Sequence, residues 1–345
     1  MRFRVSTEQR KTRHLDICLN DDVASTLEAG FGAVRLRHEA LPEIALEDVV
    51  LQTTFLGATL HAPLIISSMT GGTERAGAIN RNLAIAAQAA GIALGLGSIR
   101  AAIEKPELFA TYDVREVAPK VMLFANLGAV QLNYGVSIED ARRAVKAIGA
   151  SGLYLHLNPL QESLQPRGDT NFRGLLPKIE SLVRALEVPV VAKSVGSGIA
   201  PSTAQRLFDA GIAAIDVAGA GGTSWARVEG KRSDDPLRAR LAEQFADWGV
   251  STARATRAMR VAFPNATIVA SGGIRNGIDV AKALALGADL AGMALPLLEP
   301  ATRSSDAVSE ALTEIIEGLR IAMFATGSRT IAHLREALLT PEALG

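Results

Sequence analysis

The feature that most restricts this chain is a repeat of short apolar runs alternating with helix-length segments from residue 62 onward. Eight runs can be marked: Leu64–Ser68, Ile92–Leu96, Val121–Asn126, Leu153–His156, Val190–Lys193, Ala214–Val217, Thr267–Ala270 and Leu290–Met293. Between them lie helical patterns at Glu74–Ala90, Ile138–Ile148, Leu175–Leu186, Thr203–Ala210, Ser251–Phe263 and Ile278–Leu286, and a last one covers Ala307–Phe324. Such alternation demands right-handed crossovers and a parallel sheet. Eight units in about 260 residues match a closed barrel. An open doubly wound sheet has fewer units and one dominant glycine-rich turn. The expected fold is therefore α/β, a (β/α)8 TIM barrel with an N-terminal arm and hairpin.

The barrel would span residues 62–345, after an arm and hairpin over residues 1–61. Ser6 with Gln9 three residues on reads as a helix cap. Arg10, Arg13 and His14 then share one helical face, either as a solvated charge run or as a basic clamp for a phosphorylated ligand. Leu46–Leu51, a turn at Gly57 and a strand at Thr59-Leu60 suggest a hairpin plugging one end of a larger body. Residues 227–248, charged and with two helix-breaking sites, read as an insertion after the sixth strand, a lid or an oligomer contact. The arm and insertion carry charge without a strong apolar face, so both are expected to order on ligand binding.

Composition removes several functions. Lys plus Arg and Asp plus Glu both number 36, so no global charge draws the chain to nucleic acid or an anionic membrane. Aromatics at 4% argue against a stacking platform for single strands. Cys18 is the one cysteine, which excludes an intrachain disulfide and a multi-cysteine zinc site and fits a reducing cytoplasm. The charged stretch from Arg2 to Asp16 lacks a signal-peptide core, and no uncharged apolar run is long enough to span a membrane.

In a barrel of this kind, chemistry gathers at the C-terminal strand ends. The fourth is Tyr154-Leu155-His156-Leu157-Asn158-Pro159-Leu160-Gln161-Glu162. Alternation puts Tyr154, His156 and Asn158 on one face if the strand runs through them, Pro159 stops it, and Gln161 and Glu162 follow in a loop. An amide beside a carboxylate suits a metal-complexed polar ligand; an ordinary solvated strand end has the same residues.

The first strand ends in Ser67-Ser68-Met69-Thr70-Gly71-Gly72, small residues that let backbone approach a planar ring. The second ends in Gly97-Ser98-Ile99-Arg100, where Arg100 offers a fork for phosphate. The third offers the Asn126 amide. Lys193 ends the fifth, a costly place for an ammonium without an anion or ring acceptor. The sixth continues as Gly219-Ala220-Gly221-Gly222-Thr223-Ser224-Trp225, which is no dinucleotide fingerprint. The seventh and eighth, with Ser271-Gly272-Gly273-Ile274-Arg275 and Gly292-Met293-Ala294, form the pair of loops where barrels often hold phosphate. One phosphate site plus a polar ring suits FMN, with Lys193 toward the N1/O2 edge of the flavin. Arg10, Lys11 and Arg100 are then left over for a diphosphate substrate, with Glu162 for Mg2+.

These motifs, in this order, resemble the type 2 isopentenyl-diphosphate isomerases over nearly the whole chain. The resemblance rests on Arg10-Lys11-x-x-His14, Ser68-Met69-Thr70-Gly71-Gly72, Asn126-Leu127-Gly128-Ala129, His156-Leu157-Asn158-Pro159-Leu160-Gln161-Glu162, Gly221-Gly222-Thr223-Ser224-Trp225 and Ser271-Gly272-Gly273-Ile274-Arg275. It implies interconversion of isopentenyl and dimethylallyl diphosphate by a 1,3-allylic proton shift, with reduced FMN as acid and base, Mg2+, and NADPH as reductant of the flavin. Cofactor contacts implied are Ser68, Met69, Thr70, Ser98, Asn126, Lys193, Thr223, Gly273, Arg275, Gly292, Met293 and Ala294. Substrate contacts are Arg10, Lys11, Ser98, Arg100, Asn158 and Gln161. Glu162 is the metal ligand, and Gln161 and His156 stand nearest the chemistry. A cytoplasmic homo-tetramer or homo-octamer is implied. Where the family usually has Gln, this chain has Ile99, which supplies no amide to a diphosphate.

Two other functions fit the same barrel less well. An FMN-dependent 2-hydroxyacid oxidase or dehydrogenase needs a His and an Arg near the seventh strand, yet the only late histidine is His333. A flavin-binding redox sensor or scaffold would lack isomerase activity altogether.

Overall fold

The computed structural model describes residues 7–339 of the 345. The Ser6 cap falls outside them. A short antiparallel hairpin, β1 (Thr53–Phe55) and β2 (Ala58–Leu60), precedes the main sheet. Leu56 and Gly57 turn it with φ of 45° and 85°, the left-handed pair a two-residue hairpin requires.

Eight parallel strands then close on themselves: β3 (Leu64–Ile66), β4 (Ala93–Gly95), β5 (Leu123–Gly128), β6 (Gly152–His156), β7 (Val190–Lys193), β8 (Ala214–Asp216), β9 (Thr267–Ser271) and β10 (Leu290–Met293). β10 pairs with both β9 and β3, which seals the barrel. The eight predicted runs are these eight strands, with ends shifted by a residue or two. Side chains at strand starts fill the interior: Ile65, Met122, Phe124, Tyr154, Val191 and Leu290 cluster with Phe55 and Leu60 of the hairpin. Phe55 and Phe124 lie 6.0 Å apart, so the hairpin does plug that end, but its first leg is Thr53–Phe55 and not Leu46–Leu51, which begins as a 3-10 turn.

Helix ends follow local chemistry. Thr73 accepts from Ala76 N at the start of Glu74–Ala90, and Gly91 closes it at φ 64°. Ser137 and Asp140 form a capping box for Ile138–Ile148. The outer face of the strands packs on these helices in one continuous apolar cluster, which also takes in Leu15, Phe31, Val49 and Leu51 from the N-terminal segment.

The arm corrects one expectation. Thr7–Asn20 is a helix with an apolar face: Leu15 joins the main core, and Ile17 packs with Val23 and Val228. Its partner Val228 lies on Trp225–Arg232, the first of two helices in the insertion; the second is Pro236–Gln244. Leu15 and Ile17 were obscured in the sequence by the charges around them. The two segments brace each other across the C-terminal end of the barrel.

Candidate active site

Every residue named above as a cofactor, substrate, metal or catalytic candidate lines one cavity at the C-terminal strand ends. His14, Gln131, Gln165 and Trp225 line it as well.

One side of the cavity is made of backbone. Gly272 and Gly273 take φ of 102° and 74°. A Cβ on Gly273 would fall 2.4 Å from Gly221 O, and one on Gly222 would fall 2.6 Å from Gly273 N. The loops after β8 and β9 therefore touch through glycine alone. Thr252 Oγ1, fully buried, donates to Gly272 O at 2.6 Å and fixes the inner turn. After β10, Ala294 opens the helix Leu295–Arg303, whose free N–H groups favour an anion. Arg275 adds a charge beside this cradle.

The floor holds unsatisfied polar atoms. Ser67 Oγ and Ser68 Oγ are buried with no hydrogen-bond partner. A Cβ on Gly95 would press on Ser68 Oγ at 2.7 Å, and one on Gly97 would meet Thr70 O at 2.3 Å. A cradle of this shape, with orphaned donors and a glycine-lined anion end, fits a phosphorylated planar cofactor.

Asn126 and His156 share the floor, with His156 Nδ1 2.7 Å from Asn126 Oδ1. Burial, then Lys193 and Lys11, push the His156 imidazole down to about 3. Lys193 ends β7, donates to Ser194 O at 2.8 Å and keeps its ammonium on the cavity.

The opposite side is a hydrogen-bonded chain. The sequence put Gln161 and Glu162 in a loop; they sit instead on a short helix, Pro159–Leu164, with Pro159 at its first position, where a missing N–H costs nothing. β6 ends at His156, so the strand does not run through Asn158. Asn158 Nδ2 donates to Glu162 Oε1 at 2.9 Å and to Gln161 Oε1 at 3.2 Å. Glu162 Oε2 accepts from Asp169 N at 2.7 Å. Burial raises the Glu162 carboxyl above its usual range, against the pull of these donors and of Arg10. Gln161 Nε2 donates to Glu229 Oε1 at 3.1 Å, and His14 Nε2 lies 3.2 Å from the same oxygen.

Glu229 is the residue that sequence reasoning missed. It is fully buried and lies in the insertion, which read as a lid or an oligomer contact. Burial opposes its ionisation, yet His14, Arg232 and Gln161 outweigh that and hold the carboxyl at about 2. No local motif marks it; only the fold brings residues 14, 161 and 229 together.

Basic groups cover this side. Lys11 Nζ donates to Ser98 O at 2.8 Å and to Tyr112 Oη at 2.7 Å, and Tyr112 Oη donates to Ser98 O at 2.6 Å. Arg100 pairs with Asp169 at 2.5 Å. Arg13 does not join: it reaches exposed Asp234 at 3.7 Å. Ile99 is fully buried in the main apolar cluster and does not line the cavity.

No three His, Cys, Asp or Glu groups among the described residues are set to hold a metal alone. Asn158 Oδ1 and Gln131 Oε1, however, are buried acceptors without partners. With Glu162 they make an oxygen-only environment, which fits a hydrated Mg2+ completed by ligand phosphate.

Comparison with known proteins gives the family. Residues 161–341 match the FMN-dependent dehydrogenase family. The chain is 51% identical over 340 residues to an isopentenyl-diphosphate delta-isomerase of Synechococcus sp., covering 97% of this chain and 98% of that protein. It is 52% identical over 336 residues to the protein of that name from Stutzerimonas stutzeri, covering 97% of both. Among solved structures, a flavocytochrome b2 variant with benzoylformate aligns with a TM-score of 0.68 at 16% identity, covering 99% of this chain and 81% of that one. A mandelate oxidase aligns at 0.65 and 20% identity, with 96% of each chain covered. At those identities the likeness is one of fold.

Proposed function

The chain belongs to the isopentenyl-diphosphate delta-isomerase family and is an isomerase of isopentenyl and dimethylallyl diphosphate, and we propose that it works with reduced FMN on the glycine cradle and Mg2+ at Glu162. The observation that carries this reading is the cavity itself, with an anion cradle and orphaned floor hydroxyls on one side and a separate basic, carboxylate-bearing wall on the other.

The cofactor end would be held by Ser68, Met69, Thr70, Asn126, Lys193, Thr223, Gly273, Arg275, Gly292, Met293 and Ala294, with Ser98 between the two ends. When bound and reduced, FMN supplies an electron-rich ring that can give and take a proton without net oxidation. Lys193 would offer its cation to the N1/O2 edge.

The chain's own residues do the rest. Arg10, Lys11, Ser98 and Arg100 bind the diphosphate. Arg100 exchanges Asp169 for it. Glu162, with Asn158 beside it, would hold Mg2+, which would supply positive charge to a diphosphate that is not itself broken. Gln161, fixed by Glu229 and Asn158, orients the hydrocarbon. A lone alkene is a very weak base, so protonation passes through a carbocation-like state that needs negative charge over it and no water. The Thr7–Asn20 helix, braced by the insertion, excludes that water. His156, neutral and hydrogen-bonded to Asn126, supports the floor and is not the base.

A hydroxyacid oxidase reading is not retained. His333 is exposed on the helix Ile331–Glu336 and does not line the cavity. NADPH as reductant and a cytoplasmic homo-oligomer belong to the same proposal. Exposed Leu237 and Trp248 in the insertion support an oligomer contact, and light scattering would test it. No helix among the described residues is long and apolar enough to cross a membrane.

The test is an absorption spectrum of the purified protein, then anaerobic reduction and an isomerisation assay with Mg2+. Flavin bands, and activity only after reduction, are expected. Turnover by flavin-free protein would sink the proposal.

A further inference from the structure

Asp216 lies under the cavity floor and has no part in the steps above. It ends β8 directly beside Lys193 of β7 in the sheet register, and it is fully buried. Its Oδ1 accepts from Ser271 Oγ at 2.6 Å and from Ala218 N at 3.1 Å. Its Oδ2 is buried without a hydrogen-bond partner. Below it Tyr154 closes the aromatic layer, 5.1 Å from Phe124. A carboxylate inside a barrel is costly unless a cation repays it, and a small apolar residue would fill the space without that cost.

The surroundings leave one candidate for the cation. The charged or titratable groups around this spot are Lys193 on β7, His156 and Tyr154 on β6, and Lys11 from the N-terminal helix. His156 is neutral, and Lys11 is not among the charges that act on Asp216, whereas Lys193 is. Burial favours the neutral form of both groups; Asp216 is the one charge that pulls Lys193 toward the cation, and Lys193 is first among the groups that pull Asp216 toward the anion.

We propose that Asp216 is a positioning residue that keeps Lys193 a cation against the pyrimidine edge of the flavin, so that the reduced cofactor is held as its N1 anion. This rests on the reading that Lys193 faces that edge. It goes beyond it by naming the group that sets the charge of Lys193. The negative charge wanted over the alkene then has its origin one strand over from Lys193, in a buried side chain that touches neither substrate nor cofactor.

The absorption spectrum of the reduced holoprotein, titrated with pH, reads the N1 ionisation without any turnover. The wild type is expected to be anionic near neutral pH, and Lys193→Gln to raise the N1 pKa. Asp216→Asn, which keeps acceptor oxygen for Ser271 and Ala218, should raise it by at least one unit, a tenfold or greater gain in the neutral form. Adding Asp216→Asn to Lys193→Gln should change nothing more. If Lys193→Gln leaves the pKa in place, the flavin-facing reading fails and this inference with it. If Lys193→Gln raises it while Asp216→Asn leaves it unchanged or lowers it, the inference alone is overturned. Should Asp216→Asn not retain flavin, Ser271→Ala removes the 2.6 Å donor and is expected to give a smaller rise in the same direction; no rise there overturns the inference equally.

Discussion

His156 Nδ1 stands 2.7 Å from Asn126 Oδ1, across neighbouring strands β6 and β5. A carboxamide oxygen only accepts, so Nδ1 carries the proton and Nε2 is the free lone pair. Burial, helped by Lys193 and Lys11, keeps this ring neutral down to about 3. A histidine titrating there cannot be the base of a reaction run near neutrality. Nitrogen-15 NMR of the imidazole should show the Nδ1–H tautomer unchanged through the usual histidine range. A titration near 6.5, the ordinary value, would contradict it. The sign for stability follows: the unfolded ring binds a proton first, so this group's contribution is complete above the unfolded value and falls as pH drops toward 3.

Lys11 behaves differently. Burial, then the Arg10 charge, lower it from 10.5 to about 7, with Glu104 opposing. A diphosphate needs the ammonium form. kcat/KM should therefore fall as pH rises through about 7 in the free enzyme, with kcat less affected because bound diphosphate holds the proton. Tyr112→Phe removes a 2.7 Å contact to Lys11, so KM should rise about fivefold, equivalent to roughly 1 kcal/mol. A change in kcat alone would contradict a role in binding.

Gly273→Ala should loosen the cofactor. The residue holds φ 74°, and an added Cβ meets Gly221 O at 2.4 Å. Strain of about 1–3 kcal/mol corresponds to a loss of roughly 5- to 150-fold in FMN affinity if the cradle must open to relieve it. Fluorescence titration of apoprotein with FMN measures this. Unchanged affinity would place the phosphate elsewhere.

Much of this was legible in the sequence because period and punctuation were local. Ile138–Ile148 could be read to its last residue from Ser137, Asp140 and Gly149, and all eight strands from their apolar runs. The floor residues were legible too, since a barrel sends strand ends to one face. Gln161 and Glu162 were misplaced because a helix of six residues has too few positions to show a period; Pro159 was the available sign. Glu229, Tyr112 and Asp169 were invisible for another reason. Each acts through a partner at least 68 residues away in sequence, Gln161 for Glu229, Lys11 for Tyr112 and Arg100 for Asp169, and no spacing rule joins such pairs.

Glu229→Gln should separate geometry from charge. The amide keeps the shape but leaves buried Arg232 without its anion at 2.7 Å and leaves His14 without a carboxylate. Thermal stability should fall, in keeping with the several kcal/mol that breaking a buried pair costs, about 3–5 kcal/mol. The rate should fall about 10- to 100-fold, because the amide has one acceptor oxygen, which turns to Arg232, and its NH2 then faces the Gln161 amide, which loses its acceptor. Differential scanning fluorimetry and steady-state assays read the two effects. Full activity would show that Gln161 needs no such support.

Glu162→Gln removes the charge offered to Mg2+. The variant should lose most of its activity and respond little to EDTA, whereas wild type should be silenced by EDTA and restored by Mg2+. An EDTA-resistant wild type would remove the metal from the account.

The central claim is an allylic proton shift supported by a reduced flavin on this barrel, with no net redox change. It is tested most directly by incubating reduced, Mg2+-loaded protein with isopentenyl diphosphate in D2O and following the product by proton NMR. The account predicts dimethylallyl diphosphate carrying deuterium from solvent, many turnovers per flavin, and no consumption of reductant beyond the first reduction. Stoichiometric oxidation of the flavin, or product formed equally well by the oxidised or flavin-free protein, would contradict it.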